Sequence, residues 1–95
     1  MPTYHLTTLK INDKTKFLEY AEKARPLLEK FGGEYLAAGR ASGSLEGDAI
    51  EGPIVLTKWS DTEKLRAFWD SPEYLRLKSL RSGAVTVHST ILESQ

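Results

Sequence analysis

The order of the strand and helix patterns along the sequence is the feature that most constrains the fold. Runs rich in β-branched and aromatic residues are typical of strands, and apolar residues recurring every three or four positions are typical of helices. The predicted strands are Tyr4–Ile11, Glu34–Arg40, Ile54–Trp59 and Val85–Leu92. The predicted helices are Lys14–Phe31 and, in two pieces, about Ser60–Leu80.

The order βαββαβ predicts an α+β fold of the ferredoxin-like kind, in which a four-stranded antiparallel sheet has two helices on one face. Residues 1–95 are predicted to form a single domain, because the chain is at the lower limit of domain length. Such a short chain buries a thin core, and with no cysteine it has neither disulfides nor thiolate metal sites to support it. Oligomerisation is the remaining common route to further burial.

The sheet face opposite the helices is expected to be the contact between two copies of the chain. A soluble monomer seldom leaves a whole apolar sheet face in water, and we assign to that face residues such as Leu6, Leu56 and Val87, or their alternates on each strand. A homodimer is therefore predicted. The 13 basic residues balance the 13 acidic residues, which argues against a nucleic-acid partner because phosphate binding requires an excess of positive charge.

No membrane or targeting segment is predicted. No stretch approaches the roughly 20 apolar residues that span a bilayer, and the segment Met1-Pro2-Thr3-Tyr4-His5 lacks the basic and apolar blocks of a signal peptide. We therefore expect a cytoplasmic protein without a membrane partner.

Local signals predict where the helices start and bend. Ser60 and Glu63 have the spacing of a capping box, in which each side chain bonds to the other residue's backbone N–H. Ser71 and Pro72 restart the helix, with serine as the cap and proline at the first helical position. Pro26 lies inside the first helical pattern and is expected to kink it, because proline lacks the N–H of a helical hydrogen bond.

The sequence lacks the common catalytic and cofactor motifs, so no cofactor is predicted. It has no cysteine, no Gly-x-Ser-x-Gly, no phosphate-binding loop and no dinucleotide fingerprint. His5 and His88 are the only histidines and do not form a metal-spaced pair, so no metal site is predicted either. Each is either an ordinary hydrogen-bonded strand residue or a proton-transfer residue, and the expected closeness of the first and last strands would let them meet.

The segment after the second strand is an acidic loop that contains Glu46, Asp48 and Glu51. Its spacing lacks the ordered ligand positions of a calcium loop, so a solvent-exposed hairpin tip is the favoured interpretation. The alternative concerns Glu46, whose carboxylate would act as a base if the loop folded back over a pocket.

Large aromatic residues and two arginines are the candidate ligand contacts. Aromatic side chains with a polar tip suit a small pocket between sheet and helices, although they also suit core and dimer packing; they are Tyr20, Tyr35, Trp59, Trp69 and Tyr74. Arg40 and Arg81 are either clamps for a ligand carboxylate or partners of Glu46 and Asp48 in internal ion pairs. The predicted ligand-binding residues are Arg40, Trp69, Tyr74 and Arg81, with His5, His88 and Glu46 as catalytic candidates.

Three segments together resemble the DUF1330 family, a domain of unknown function in the dimeric α/β-barrel superfamily. The segments are Gly32-Gly33-Glu34-Tyr35-Leu36-Ala37, Leu45-Glu46-Gly47-Asp48 and Phe68-Trp69-Asp70-Ser71-Pro72-Glu73-Tyr74. The family usually continues Leu-Glu-Gly-Asp with a Trp and a basic position, whereas Ala49-Ile50-Glu51 follows here. The resemblance covers Tyr4 to Glu93 and implies a ferredoxin-like fold that pairs into a dimeric α/β barrel.

Two functions remain open at this stage. The superfamily is similar in shape to cofactor-independent monooxygenases, muconolactone isomerases and haem-binding peroxidases, which favours a small-molecule-binding or enzyme-like homodimer performing proton transfer or oxygenation of a small organic substrate. The alternative is a non-catalytic dimeric module whose residues serve packing and partner binding. A cavity with convergent polar groups favours the first function, and a filled interior favours the second.

Overall fold

The computed structural model describes residues 2–94 of the chain. It contains four strands and three helices in the order β-α-β-β-α-α-β. The elements are β1 (Thr3–Ile11), α1 (Lys14–Lys30), β2 (Glu34–Arg40), β3 (Pro53–Trp59), α2 (Thr62–Trp69), α3 (Pro72–Leu80) and β4 (Val85–Glu93). The two pieces of the second predicted helix are thus two separate helices.

The four strands form one antiparallel sheet in the order β2-β3-β1-β4. The two central strands, β1 and β3, are therefore far apart in sequence: α1 leads from β1 to the edge strand β2, and the long loop 41–52 leads from β2 to β3. This arrangement confirms the predicted ferredoxin-like fold.

The register of the sheet determines which residues face the helices. Along β1, Thr3, His5 and Leu9 are buried under the helices, so the even-numbered residues of β1 lie on the other, open face. Leu6 pairs with Leu56 on that open face, as predicted. Val87 pairs with the buried Leu9 and therefore lies on the helix side, so on β4 the alternate residues, rather than Val87 itself, occupy the open face.

The helices begin at capping side chains, one of which differs from the prediction. Ser71 caps α3: its hydroxyl accepts a hydrogen bond from the Tyr74 N–H at 3.1 Å and donates one to the Phe68 carbonyl at 2.8 Å. The predicted capping box at α2 is wrong, because Asp61 is the cap and accepts from the Lys64 N–H at 2.9 Å. Aspartate caps as well as serine does, and its charge also suits the positive end of a helix.

The core lies between the sheet and the helices. Its buried members are Leu28, Trp59, Leu65, Phe68 and Tyr74. Trp59 belongs to this core rather than to a pocket: it is 1% exposed and its indole N–H donates to the Thr57 hydroxyl at 3.0 Å. A side chain at Gly33 would overlap Trp59, which accounts for glycine between α1 and β2.

The open sheet face makes the molecule flat. Its principal extents are 37 × 37 × 16 Å. The accessible surface is 6540 Å², whereas a compact monomer of this mass exposes roughly 5,500 Å². Within residues 2–94 there is no helix long and apolar enough to cross a membrane.

Candidate functional site

A cleft of about 700 Å³ lies between α1 and the helix-facing side of the sheet. Most of its lining is apolar because α1 presents small and branched side chains to the sheet with helical spacing. The apolar residues that line it include Phe17, Leu18, Ala21, Ala24 and Leu28 from α1, and Leu9, Val55 and Val87 from the strands. Such a volume accommodates a small organic molecule.

His5 lies on the sheet side of this cleft and is 7% exposed. Its Nε2 is 3.2 Å from the Thr7 hydroxyl, and its ring meets the Trp69 ring in an edge contact with centroids 5.6 Å apart. Burial lowers the pKa of His5 below its usual value, because the charged imidazolium loses solvation. The imidazole is therefore neutral at pH 7 and able to accept a proton.

Two tyrosine hydroxyls meet in the same cleft. Tyr20 from α1 and Tyr74 from α3 both line it, and their hydroxyl oxygens are 2.6 Å apart. Burial, and then the charge and hydrogen bond of Tyr74, raise the pKa of Tyr20 well above its usual value. The Tyr20 hydroxyl is thus a neutral hydrogen-bond donor over the physiological pH range.

Arg81 at the end of α3 packs against this tyrosine pair. Its guanidinium carbon is 5.4 Å from the centre of the Tyr20 ring. Its Nε is buried and has no hydrogen-bond partner among residues 2–94. The guanidinium charge acts to lower the pKa of Tyr20 but is outweighed by burial.

The mouth of the cleft carries two further arginines. Arg25 on α1 lies over the Tyr35 ring, with its guanidinium carbon 4.8 Å from the ring centre. Arg25 also forms an exposed contact of 3.5 Å with Glu29. Arg40 at the end of β2 lines the cleft as well.

The structure brings together some of the residues expected at a site and separates others. His5, Arg40 and Tyr74 line the cleft, while Trp69 lines a smaller neighbouring cavity together with His5. Glu46 belongs to an exposed loop in which the Ser44 hydroxyl donates to the Glu46 and Gly47 carbonyls, and Glu46 does not line the cleft.

His88 is separated from His5 by the sheet itself. It pairs with Thr8 and is therefore on the open face, whereas His5 is on the helix side. The two histidines cannot form one site within a single chain.

Arg40 and Arg81 do not form the ion pairs considered for them. The ion pairs between side chains of residues 2–94 are Arg25 with Glu29 and Lys30 with Glu73. Arg40, which lines the cleft, is therefore available to a ligand there, whereas the predicted ligand contact Arg81 is not part of the cleft lining.

Thr7 and Arg25 are cleft residues that the sequence analysis missed. Thr7 alternates with His5 along β1, and Arg25 follows Ala21 by one helical turn, so the strand and helix periods would have indicated both. Across residues 2–94, no group of three or more His, Asp or Glu side chains could hold a metal ion.

The sequence matches the model of a protein family over residues 2–95: the domain of unknown function DUF1330. The chain belongs to the DUF1330 family. This family assignment agrees with the three segments that suggested it. A comparison of this DUF1330 protein with curated proteins finds no match.

Solved structures share the fold of this DUF1330 protein. A protein of unknown function from Rhodopseudomonas palustris is 16% identical, with a TM-score of 0.81 over 99% of this chain and 82% of that chain. SnoaB, a cofactor-independent oxygenase from Streptomyces nogalater, is 10% identical, with a TM-score of 0.73 over 99% of this chain and 93% of that chain. A dimeric ferredoxin-like protein of unknown function from Jannaschia sp. CCS1 is 14% identical, with a TM-score of 0.66 over 99% of this chain and 100% of that chain. At these identities the likeness shows the fold alone.

Proposed function

We propose that this protein is an enzyme-like homodimer that binds a small, largely aromatic molecule in the cleft and removes a proton from it with His5. The observation that supports this most directly is a buried, neutral histidine on the wall of an apolar cleft. A histidine serving only to pack would not need to line a space of about 700 Å³.

The chemistry of a neutral imidazole supports proton transfer. The free lone pair of one ring nitrogen accepts the proton of a substrate O–H or activated C–H, and the imidazolium returns it later in the cycle. Nε2 lies beside the Thr7 hydroxyl, which holds the ring in place. The Trp69 ring edge limits the motion of the imidazole on its other side.

The substrate anion formed in this step has two possible fates. Reprotonation at another atom is an isomerisation. Addition of the carbanion to dioxygen forms a C–O bond and a hydroperoxide, which loses water to leave a carbonyl; dioxygen is the oxidant, so this oxygenation needs no cofactor. The second fate has a parallel in the fold, because SnoaB is a cofactor-independent oxygenase. Fold likeness is a weak reason for an activity, so His5 and the cleft remain the main support.

Self-association through the open sheet face completes the proposal. Solved structures with the same fold are described as dimeric. The open face of this chain carries Leu6 and Leu56 at the centre of the sheet, and a second copy is the partner of matching shape and polarity.

Ligand binding is tested with N-phenyl-1-naphthylamine, a neutral aromatic probe whose fluorescence rises in apolar sites. Saturable binding by the parent protein is expected. Ala21→Trp fills the cleft and should abolish binding, whereas Ala67→Trp, at an exposed position of α2, should retain it. Equal binding by both variants would place the probe elsewhere and contradict the proposed cleft.

Proton transfer is tested by hydrogen–deuterium exchange at the ring carbons of 1,3-dihydroxynaphthalene, followed by NMR without oxygen. The parent should accelerate exchange, and His5→Gln should lose about 100-fold or more of that acceleration, as removal of a general base does. Unchanged exchange in His5→Gln would show that another group is the base.

A further inference from the structure

The pair of tyrosine hydroxyls in the cleft has an unused donor. Two hydroxyls carry two hydrogens, and one of these is shared between Tyr20 and Tyr74 at 2.6 Å. Neither hydroxyl forms another hydrogen bond to a residue between 2 and 94. Because both residues line the cleft, the second hydrogen is available to a bound molecule.

Arg81 places a positive charge beside this pair and forms no ion pair with another side chain of residues 2–94. Arg81 packs on the Tyr20 ring, and its Nε–H is buried without a partner among the described residues. A buried donor without a partner destabilises the fold, so its presence calls for an explanation. Arg81 does not itself line the cleft, so its charge would act across the Tyr20 ring on an anionic oxygen bound at the tyrosine pair.

We propose that Tyr20, Tyr74 and Arg81 form a binding subsite for the ionised oxygen of a phenol or enol. This inference rests on the proposed function, since it specifies what the ligand of the cleft carries. The apolar walls hold the ring of the ligand, and the tyrosine pair donates a hydrogen bond to its oxygen. The guanidinium stabilises the negative charge in a site with little water.

The arrangement favours a phenolate or enolate over other ligands. A neutral apolar molecule would leave the tyrosine donor and Arg81 unsatisfied. Burial and the neighbouring hydroxyl keep Tyr20 protonated, so it remains a donor where an ionised tyrosine would repel the ligand. Delocalised anions of this kind are also the species that proton removal by His5 would generate, so the two groups serve consecutive parts of one reaction.

The test uses 4-nitrophenol, whose neutral and ionised forms absorb at different wavelengths. Titration of the bound ligand reads its pKa directly. In the parent the bound phenol should ionise at least one pH unit below the free phenol, which is a tenfold preference for the phenolate. Tyr20→Phe, Tyr74→Phe and Arg81→Gln should each remove most of this shift.

Two controls isolate the subsite. Tyr4→Phe removes a tyrosine hydroxyl from the open face of the sheet, outside the cleft lining, and should keep the shift. The methyl ether 4-nitroanisole cannot ionise, and its affinity should be equal in the parent and the Tyr20→Phe variant. Thermal unfolding followed by circular dichroism shows whether Tyr74→Phe, which changes a core residue, is folded.

The outcomes separate this proposal from the one on which it rests. If both ligands bind and the pKa of 4-nitrophenol is unchanged, the phenolate subsite is overturned while the cleft remains a binding site. If 4-nitrobenzoate binds as tightly as 4-nitrophenolate, the subsite takes carboxylates and its assignment to phenolates is overturned. If neither nitrophenyl ligand binds, the proposed function fails as well.

Discussion

The two histidines illustrate how one residue type acquires different surroundings within a sheet. His5 is buried on the helix side of β1, and His88 is exposed on the open side of β4. Strand alternation alone assigns each to a face of its own strand. The inter-strand register is needed to show that the two faces are opposite, because Thr8 rather than His5 pairs with His88.

The stability of the protein should depend on pH through His5. Its pKa is lowered in the folded state by burial and is roughly 6.5 in the unfolded chain. The unfolded chain therefore binds more protons at low pH, so full stability is present above about pH 6.5 and decreases as the pH falls toward the folded-state pKa. As the pH is lowered below the pKa of His5 in the unfolded chain, the melting temperature of the parent should fall, and that of His5→Gln should fall less steeply.

An independent measurement of the same pKa uses His88→Gln, which leaves His5 as the sole histidine. Its ring protons should titrate below the value of an unfolded histidine when followed by NMR. A midpoint at or above that value would contradict the assignment of His5 as a buried neutral base.

At the scale of the element, the residues beside the start of each helix decide where it begins, and neighbouring residues can compete to be the cap. Ser71 and Pro72 start α3 as predicted, because the serine hydroxyl reaches the Tyr74 N–H and proline occupies a position whose N–H is not needed. At α2 two neighbouring residues, Ser60 and Asp61, could both cap, and aspartate is the cap. The helix α1 runs from Lys14 to Lys30 with Pro26 inside it.

Pro26 is predicted to fit the packing of α1 rather than to act as a hinge. Pro26→Ala restores a helical N–H and relieves ring crowding, while the unfolded chain gains conformational freedom, so the opposing effects should leave the free energy of unfolding within about 1–2 kcal/mol of the parent. Urea unfolding measures this, and sedimentation should show an unchanged oligomer. Lys23→Ala, at an exposed position of the same helix, is the control.

A result of a different kind would contradict the packing role of Pro26. If Pro26→Ala lost N-phenyl-1-naphthylamine binding without losing stability, Pro26 would be part of the binding site itself.

At the scale of the whole molecule, a two-layer slab 16 Å thick leaves one face of its sheet without cover. Leu6 and Leu56 lie at the middle of that face, and Leu92 near its edge is 61% exposed. The protein exposes more surface than a compact monomer of its mass does, and association of two copies removes exposed apolar surface of this kind. The proposed second copy would bury this face without any change of fold.

The parent is therefore expected to sediment at twice the 10.6 kDa of one chain. Leu6→Lys places an unpaired charge at the centre of the open face and should dissociate the dimer, because burying such a charge costs several kcal/mol. Leu75→Lys introduces the same charge at an exposed position of α3 and should not dissociate it. A monomeric parent at micromolar concentration would contradict the proposed interface.

The sequence by itself determined the elements of this protein and much of its fold. Helical spacing, strand alternation and the signals at Ser71-Pro72 act between residues a few positions apart. They can therefore be recognised in a short stretch of sequence without the rest of the chain. The element order then leaves few topologies, and the ferredoxin-like sheet is one of them. The segments that resemble DUF1330 pointed to the family for the same reason, since they belong to contiguous stretches.

Only the tertiary structure decided which side chains share the cleft. Tyr20 and Tyr74 are 54 residues apart in sequence, and their hydroxyls meet because α1 and α3 pack side by side over one sheet face. The same packing buries Arg81 beside them, and the register of β4 against β1 removes His88 from the site. Contacts of this kind depend on the packing of whole elements, which no local pattern specifies.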